Sequence, residues 1–196
     1  YLLAQPRCDL LGITTVSGRP TERAKLASAI CKTAGANIPI IPGYEDRLDG
    51  PTRQPNVPQT SVLPSWAHDT EFSNQDAVDF MAETIRNNPH EVVLLAVGPM
   101  TNVARLFERY PESAGLLKTL HMMIGRFTDD PVLPVSEWNA HCDPTATHVI
   151  YTTETTQHTS LGLDVTHQVV MDSHQVQEHF QHPLLKPVYE MSEVWF

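Results

Sequence analysis

The stretch VVLLAVGPMTNVARLFERY, residues 92–110, holds the two elements that decide the fold. VVLLAV, residues 92–97, is a continuous apolar run typical of a strand buried on both faces. Gly98-Pro99 ends the run, and helical spacing predicts a helix from Thr101 to Tyr110 with Thr101 as its cap. A strand followed at once by a helix is the unit from which parallel sheets are built.

The same alternation extends in both directions from this unit. Because strands and helices alternate along the whole chain, the sequence predicts one α/β domain over residues 1–196, a mostly parallel sheet with helices on both faces. The remaining predicted strands are Leu10–Val16, Ile38–Ile41, Leu120–Ile124 and Ser160–Val165; the helices are Pro20–Gly35, Asn74–Asn88, Pro144–Tyr151 and most of Ser173–Phe196; residues 42–73 are predicted to be a long irregular loop.

Composition excludes several classes of function. The formal net charge is −10 and no basic stripe occurs, so neither nucleic acid nor an anionic membrane surface is an expected partner. No apolar run approaches the length of a membrane span. The three cysteines have no paired spacing, which favours a reducing cytoplasm over a disulfide framework. The spacing of His174, His179 and His182 fits no zinc motif.

The segment SEWNAHCDPTATHVI, residues 136–150, contains the strongest candidates for ligand binding. In an extended segment, Glu137 and Asn139 face the same side and would offer an acceptor and a donor to a polyhydroxylated ligand such as a sugar. Taken alone, Glu137 is more often a surface carboxylate and Asn139 a turn residue, since exposed Glu is the norm; the resemblance described next favours the binding role instead. Asp143 before Pro144 is typical of a helix N-cap rather than of a catalyst.

Four separated blocks resemble the inosine-uridine preferring nucleoside hydrolases. They are LLGITTVSG at residues 10–18, AVGPMTNVA at 96–104, SEWNAHCDPTAT at 136–147 and GLDVTHQ at 162–168, in family order and with family-like spacing. The resemblance implies a nucleoside-hydrolase-like, Rossmann-like α/β fold. It also implies calcium-dependent cleavage of the N-glycosidic bond of a ribonucleoside, giving ribose and a free base. The ion would hold the ribose diol and the attacking water.

The resemblance carries individual residues over onto this chain. Glu137 and Asn139 match the ribose-binding pair, Trp138 the aromatic residue beside the sugar, and Met123 a methionine near the ribose. The backbone carbonyl of Val97 falls at the position of a calcium ligand. Family members are often homodimers or homotetramers, so apolar residues near 188–196 are a candidate interface.

The departures from the family pattern concern the catalytic machinery. The aspartate cluster DxDPGxDD would precede residue 1 and a His-Asp pair would follow residue 196, so the chain resembles a family domain truncated at both ends. No catalytic base or acid is therefore assigned, and the calcium site is incomplete. The HGxxG loop expected between Gly43 and Phe72 is absent. Arg19 stands where the family usually has Asn, and it would contact either a ligand anion or a protein carboxylate.

Three functional readings follow from these matches and departures. The first is a ribonucleoside hydrolase whose activity is impaired in this chain alone. The second is a catalytically degenerate nucleoside- or sugar-binding protein of the same fold. The third is a regulatory or structural remnant that binds nothing. Loss of neighbouring elements would expose apolar sheet surface, which predicts poor solubility.

Overall fold

The structure is a computed structural model that describes residues 1–196. Its strands are β1 (Ile13–Thr15), β2 (Ile40–Pro42), β3 (Val93–Ala96), β4 (Thr119–Met123) and β5 (His158–Leu161). Its helices are α1 (Pro20–Thr33), α2 (Ala77–Asn87), α3 (Thr101–Arg109), α4 (Glu112–Leu116), α5 (Trp138–Cys142), α6 (Pro144–Thr152), α7 (Leu163–Thr166), α8 (Ser173–His179) and α9 (Lys186–Ser192). Short 3-10 helices cover Leu2–Ala4, Pro58–Ser65, Pro183–Leu185 and Glu193–Trp195.

Every paired strand runs parallel to its neighbour, which confirms the predicted α/β class. β1 pairs with β2, with Ile13 opposite Ile40, and β4 lies between β3 and β5, with Leu120 opposite both Leu94 and His158. The strands form two separate sheets rather than the single sheet predicted. Asn102 at the start of α3 connects the two units, because its side chain donates to Thr15 O at 2.9 Å and accepts from Tyr44 N at 3.1 Å.

The main core lies on one face of the three-stranded sheet. The apolar face of α2 contributes Val78, Met81 and Ile85, and α3 and α6 complete the layer around Leu120 and Met122. The helical spacing of apolar residues in α2 therefore correctly predicted which side chains face the core. Around the two-stranded sheet, helices lie on both faces: α1 packs on Ile13 and Ile40, while Phe80 and Met81 of α2 approach Gly12 and Thr14.

The other face of the three-stranded sheet is open, which corrects the prediction of helices on both faces. Val93, Leu95 and Val97, every second residue of the stretch, lie on this face, and their exposed fractions are 49%, 48% and 66%. Leu161 of β5 is also exposed there. The apolar run 92–97 was therefore wrongly predicted to be buried throughout, because a continuous apolar sequence does not reveal whether both faces are covered.

The open face gives a test of the predicted poor solubility. Leu95→Thr is expected to reduce aggregation without loss of stability, because the side chain is already half exposed. The neighbouring variant Leu94→Thr is the matched control, since Leu94 packs against the main core and its loss should cost about 2 kcal/mol. Light scattering and urea unfolding of both variants measure the two effects. Equal aggregation of Leu95→Thr and the unmodified chain would contradict the assignment of the open face.

The long segment 42–73 is more ordered than the irregular loop predicted. Its 3-10 helix, Pro58–Ser65, packs against α1 and α9, with Leu63 in a small cluster beside Ala29 and Met191. Trp66 donates its indole N–H to Glu190 at 2.6 Å. Trp66 is therefore a packing residue at the edge of the core.

Three further sequence predictions concern the cysteines, the C-terminal region and membrane-spanning helices. Cys8, Cys31 and Cys142 are all free thiols, as their spacing predicted. The C-terminal region is mostly helical, as predicted. The helices include none that combines the length and the apolar character needed to cross a membrane.

Asp76 caps α2 and joins it to a polar network. Its carboxylate accepts from the backbone N–H groups of Val78 and Asp79, from the Tyr44 hydroxyl at 2.6 Å and from Arg109 at 3.1 Å. Burial works against the charged form, but the hydrogen bonds outweigh it and hold the pKa of Asp76 below its usual value. Burial and the hydrogen bond to Asp76 raise the pKa of Tyr44.

The lowered pKa of Asp76 predicts a pH-dependent contribution to stability. A carboxyl group whose pKa is depressed by folding stabilises the folded chain above its unfolded pKa of about 4 and loses that contribution as pH falls. Asp76→Asn keeps the cap and removes the charge, so it should lower stability by about 1 kcal/mol at pH 7. The gap to the unmodified chain should narrow toward pH 3 in urea unfolding. A gap that is constant with pH would show that the charge does not contribute.

Candidate functional site

The candidate site lies where β3 and β4 end and α5 begins. Asn139 donates its side-chain amide to Met123 O at 2.9 Å and to Val97 O at 3.3 Å, and the same nitrogen lies 3.3 Å from Met123 Sδ. The structure thus brings together three residues that the sequence had singled out from distant positions. The carboxyl ends of parallel strands are where ligands bind in sheets of this kind.

Glu137 is the N-cap of α5 and lies buried beneath the site. Its carboxylate accepts from Asn139 N at 2.7 Å, Ala140 N at 2.9 Å and Gly125 N at 3.3 Å. The prediction of an extended segment was therefore wrong, because the chain turns into a helix at Trp138. A side-chain oxygen that satisfies the free N–H groups of a first helical turn favours this local fold. Glu137 fixes the backbone that positions Asn139.

Trp138 forms the exposed wall of the site. Trp138 is 52% exposed, and its indole stacks on His141 with ring centroids 5.5 Å apart and donates Nε1–H to Gln54 Oε1 at 3.4 Å. An aromatic side chain held at the rim offers an apolar surface to a sugar or a base. The place of Trp138 beside a ligand stays a prediction.

Residues 52–54 of the long segment attach to the rim from the other side. Thr52 Oγ1 accepts from Gly18 N at 3.1 Å and lies 3.2 Å from Ser17 Oγ, while Arg53 donates to His141 O. Gly18 has no space for a side chain, because a Cβ atom there would lie 2.2 Å from Gln54 O. Thr52, Arg53 and Gln54 were not predicted from the sequence, since no motif identifies them and only the tertiary fold brings them to Trp138.

Arg19 lies at the start of α1, next to this junction. Its backbone adopts the left-handed conformation with φ 57°, which is uncommon for a residue with a side chain. The side chain is exposed and forms neither a hydrogen bond nor an ion pair with the protein. No carboxylate within residues 1–196 pairs with Arg19, and both alternatives that the sequence left open remain predictions.

Asp143 is fully buried and supports the site from below. Oδ1 accepts from Ala146 N at 2.9 Å, and this bond confirms the predicted N-cap of α6. Oδ2 accepts from Thr101 Oγ1 at 2.7 Å and from Leu48 N at 2.8 Å. Thr101 is thus bonded to Asp143 rather than acting as the cap of α3, a position that Met100 occupies. One carboxylate joins α3, α6 and the long segment.

Cys142, the last residue of α5, is the thiol nearest to the site. Burial, followed by the charge of Glu137, raises the pKa of this thiol above its usual value. Nearby Arg23 and Arg53 act in the opposite direction without reversing the shift. A buried thiol with a raised pKa is a poor nucleophile, so Cys142 is a packing residue.

The oxygen donors of the site do not fit a calcium ion. Calcium takes six to eight oxygen ligands, several of them carboxylates. No group of three or more His, Cys, Asp or Glu side chains in residues 1–196 is arranged to hold a metal. The predicted ligand, the carbonyl of Val97, accepts from Asn139, and Glu137 is occupied by backbone N–H groups.

The structure is thus a parallel α/β fold that brings an amide, an aromatic side chain and backbone carbonyls together at its strand ends. Residues 1–195 match the family of inosine-uridine preferring nucleoside hydrolases, and the chain belongs to that family. This match confirms the resemblance found in the sequence.

Similarity to individual proteins is moderate and covers part of their length. An uncharacterised protein of Schizosaccharomyces pombe is 30% identical over 85% of this chain and 56% of its own length. The pyrimidine-specific ribonucleoside hydrolase RihA of Salmonella arizonae is 29% identical over 85% of this chain and 55% of its own length. A solved plant nucleoside hydrolase superposes with a TM-score of 0.86 at 24% identity, over 99% of this chain and 64% of the plant chain. The chain therefore spans little more than half the length of the curated relatives, and the structural likeness confirms the fold.

Proposed function

We propose that this chain forms the sugar-binding side of a ribonucleoside hydrolase, an enzyme that cleaves an N-glycosidic bond to ribose and a free base. The family supports this reaction class, and the ligand would be a small-molecule nucleoside. The observation that carries the proposal is the position of Asn139. Its amide lies against Val97 O and Met123 at the strand ends, beside the exposed wall of Trp138.

The proposed division of roles follows from these contacts. In the bound state, Trp138 packs against a face of the ligand. The Asn139 side chain gives up a hydrogen bond to a backbone carbonyl and forms one to a ribose hydroxyl. Glu137 holds the backbone of Asn139 in place through the N–H of that residue. Met123 supplies apolar contact through its thioether. Neither a general base nor a general acid is assigned, because the carboxylate at these strand ends, that of Glu137, already accepts from three backbone N–H groups.

Calcium dependence is part of the same proposal, on the strength of the family resemblance. A calcium ion would take the Val97 carbonyl as one ligand, but these residues supply too few further donors. We therefore expect these 196 residues to bind a ribonucleoside and not to hydrolyse it. This expectation rests on the oxygen ligands available within residues 1–196.

The test is calorimetric titration of the chain with inosine and with uridine. Asn139→Ala should weaken binding about tenfold, because it removes a directed hydrogen bond at a buried position. Asn87→Ala, at the exposed end of α2, is the matched control and should bind as the unmodified chain does. Binding that is unchanged in Asn139→Ala would contradict the proposed site.

The alternative is a nucleoside- or sugar-binding protein that has lost hydrolysis. The Val97 carbonyl oxygen and the Glu137 carboxylate already accept hydrogen bonds from the protein, and this favours the alternative. The full-length gene product separates the two functions: calcium-dependent release of ribose supports the hydrolase, and binding without release supports the alternative. If neither the 196-residue chain nor the full-length gene product binds a ligand, the remaining function is that of a regulatory or structural remnant that binds nothing.

The setting of this function is proposed to be the cytoplasm, on the basis of the free thiols. A homodimer or homotetramer is proposed through the C-terminal residues, where Val194, Trp195 and Phe196 are exposed. Sedimentation of a clean monomer at micromolar concentration would contradict this interface.

A further inference from the structure

We infer that Arg126 is a positioning residue for the proposed ribonucleoside site. It holds residues 126–136, the β4–α5 loop, in one conformation and thereby keeps Glu137 where that carboxylate orients Asn139. The inference rests on the proposed ribonucleoside binding and names a further residue on which that binding depends.

The β4–α5 loop begins and ends at the candidate site. It follows Gly125, two residues beyond Met123 at the end of β4, and it leads into Glu137, the N-cap of α5. Gly125 N donates to Glu137 Oε2 at 3.3 Å, so the two ends of the loop meet at one carboxylate. The other oxygen of that carboxylate, Oε1, accepts from Asn139 N at 2.7 Å. A change in the path of the loop is therefore transmitted to the backbone of Asn139 through a single side chain.

Burial of apolar surface does not hold the β4–α5 loop in place. Within residues 127–136, Leu133 is buried and all the other residues are exposed. A segment that buries so little apolar surface gains little free energy to offset the conformational entropy that it loses in one fixed path. Its conformation therefore depends on polar contacts.

Arg126 supplies these polar contacts from the first position of the loop. Its guanidinium donates to three backbone carbonyls: Nε to Thr128 O at 2.9 Å, Nη1 to Pro134 O at 3.0 Å and Nη2 to Asp130 O at 2.6 Å. The loop also carries two carboxylates, those of Asp129 and Asp130, but Arg126 forms an ion pair with neither. The planar fork of N–H donors thus fixes the backbone of the loop.

A second anchor fixes the beginning of the loop but not its end. Phe127 N donates to Asp164 Oδ1 at 2.7 Å, and the Phe127 ring lies so close to Gly162 that a Cβ atom there would be 2.7 Å from it. Residues 134–136, which lead into Glu137, have one hydrogen bond to the rest of the protein, the bond that Arg126 donates to Pro134 O. Arg126 is therefore the residue that ties the end of the loop to its beginning.

Loss of the Arg126 side chain is expected to reduce the fraction of molecules that can bind a ligand. The apparent affinity of a ligand falls in proportion to the population of the binding-competent conformation. Arg126→Ala removes three charge-assisted hydrogen bonds at once, so we expect inosine to bind about tenfold more weakly. The midpoint of urea unfolding should change little, because the loop lies outside the main core.

The experiment is calorimetric titration of Arg126→Ala with inosine, combined with hydrogen exchange of the Gly125 and Asn139 amides. Both amides donate to Glu137, so faster exchange in the variant reports that this carboxylate is no longer held in place. Guanidinium ion at millimolar concentration, far below the molar concentrations that unfold proteins, should restore part of the binding. Arg126→Lys should restore little, because a single ammonium group lacks the fork that reaches three carbonyls.

The controls separate this inference from a general loss of folding and from failure of the proposed function. Arg86→Ala, on α2, removes an arginine that donates to Glu112 and should change neither inosine binding nor amide exchange. Unchanged binding in Arg126→Ala would overturn the inference and leave the proposed function standing, and so would weaker binding without faster exchange. Weaker binding with a lower urea midpoint and no recovery in guanidinium would also overturn it, because it would show a loss of folding.

Absence of inosine binding by the unmodified chain would overturn the proposed function. Amide exchange then decides the role of Arg126 without any ligand: faster exchange of the Gly125 and Asn139 amides in Arg126→Ala supports the positioning of Glu137, and unchanged exchange overturns it.

Discussion

Asp143→Ala is expected to lower the free energy of unfolding by about 3 kcal/mol or more. Asp143 is fully buried, and its two oxygens accept from Ala146 N, Thr101 Oγ1 and Leu48 N. Removal of the carboxylate leaves these donors without partners, at about 1–3 kcal/mol for each group that stays buried. Urea unfolding followed by circular dichroism measures the change.

Two further variants show whether the loss comes from the shared carboxylate. Thr101→Val removes a single donor and should cost about 1 kcal/mol. Asp9→Ala, at an exposed position near the start of the chain, removes the same kind of charge and should cost almost nothing. A loss in Asp143→Ala no larger than that in Thr101→Val would contradict the role of Asp143 as the link between α3, α6 and the long segment.

Gly18→Ala is expected to displace residues 52–55 and abolish tight ligand binding. The added Cβ atom would lie 2.2 Å from Gln54 O and 2.8 Å from Pro55 Cα, and both obstacles are backbone atoms that cannot rotate away. Overpacking of this kind costs about 1–3 kcal/mol, and the shift carries Arg53 and Gln54 away from Trp138. Calorimetry should show at least a tenfold loss of inosine affinity.

Gly115→Ala is the matched control for that variant. Gly115 lies in α4, and a Cβ atom there meets no atom within 4 Å. The substitution should be neutral or stabilising by about 0.5–1 kcal/mol, because alanine favours a helix more than glycine does. Binding retained in Gly18→Ala would show that residues 52–54 are not part of the site.

The sequence predicted the helices of this chain better than it predicted its sheets. The periodic apolar positions of α2 identified Val78, Met81 and Ile85 as the buried face, and the Asp143-Pro144 pair identified the start of α6. Both predictions rest on local chemistry. The exposure of Val93 and Leu95 depends on what lies across the sheet, which a continuous apolar run does not encode.

The candidate site was predictable in part for the same reason. Glu137, Trp138 and Asn139 form one recognisable segment, and the family pattern added Met123 and Val97. Their arrangement was not predictable, because a carboxylate two residues before Asn139 can face a pocket or cap a helix, and here it caps α5. Arg53 and Gln54 reach the site from a segment without a motif, through contacts with Gly18 and Trp138.

The central claim is that these residues form a ribonucleoside-binding site whose oxygen donors are too few to hold a calcium ion. Release of ribose from inosine and uridine by the purified 196-residue chain, with calcium and with a chelator, tests it most directly. We predict that inosine binds, that binding depends on Asn139, and that no ribose is released under either condition. Calcium-dependent release of ribose by this chain would contradict the account, because it would require carboxylate ligands and a general base where the structure places none.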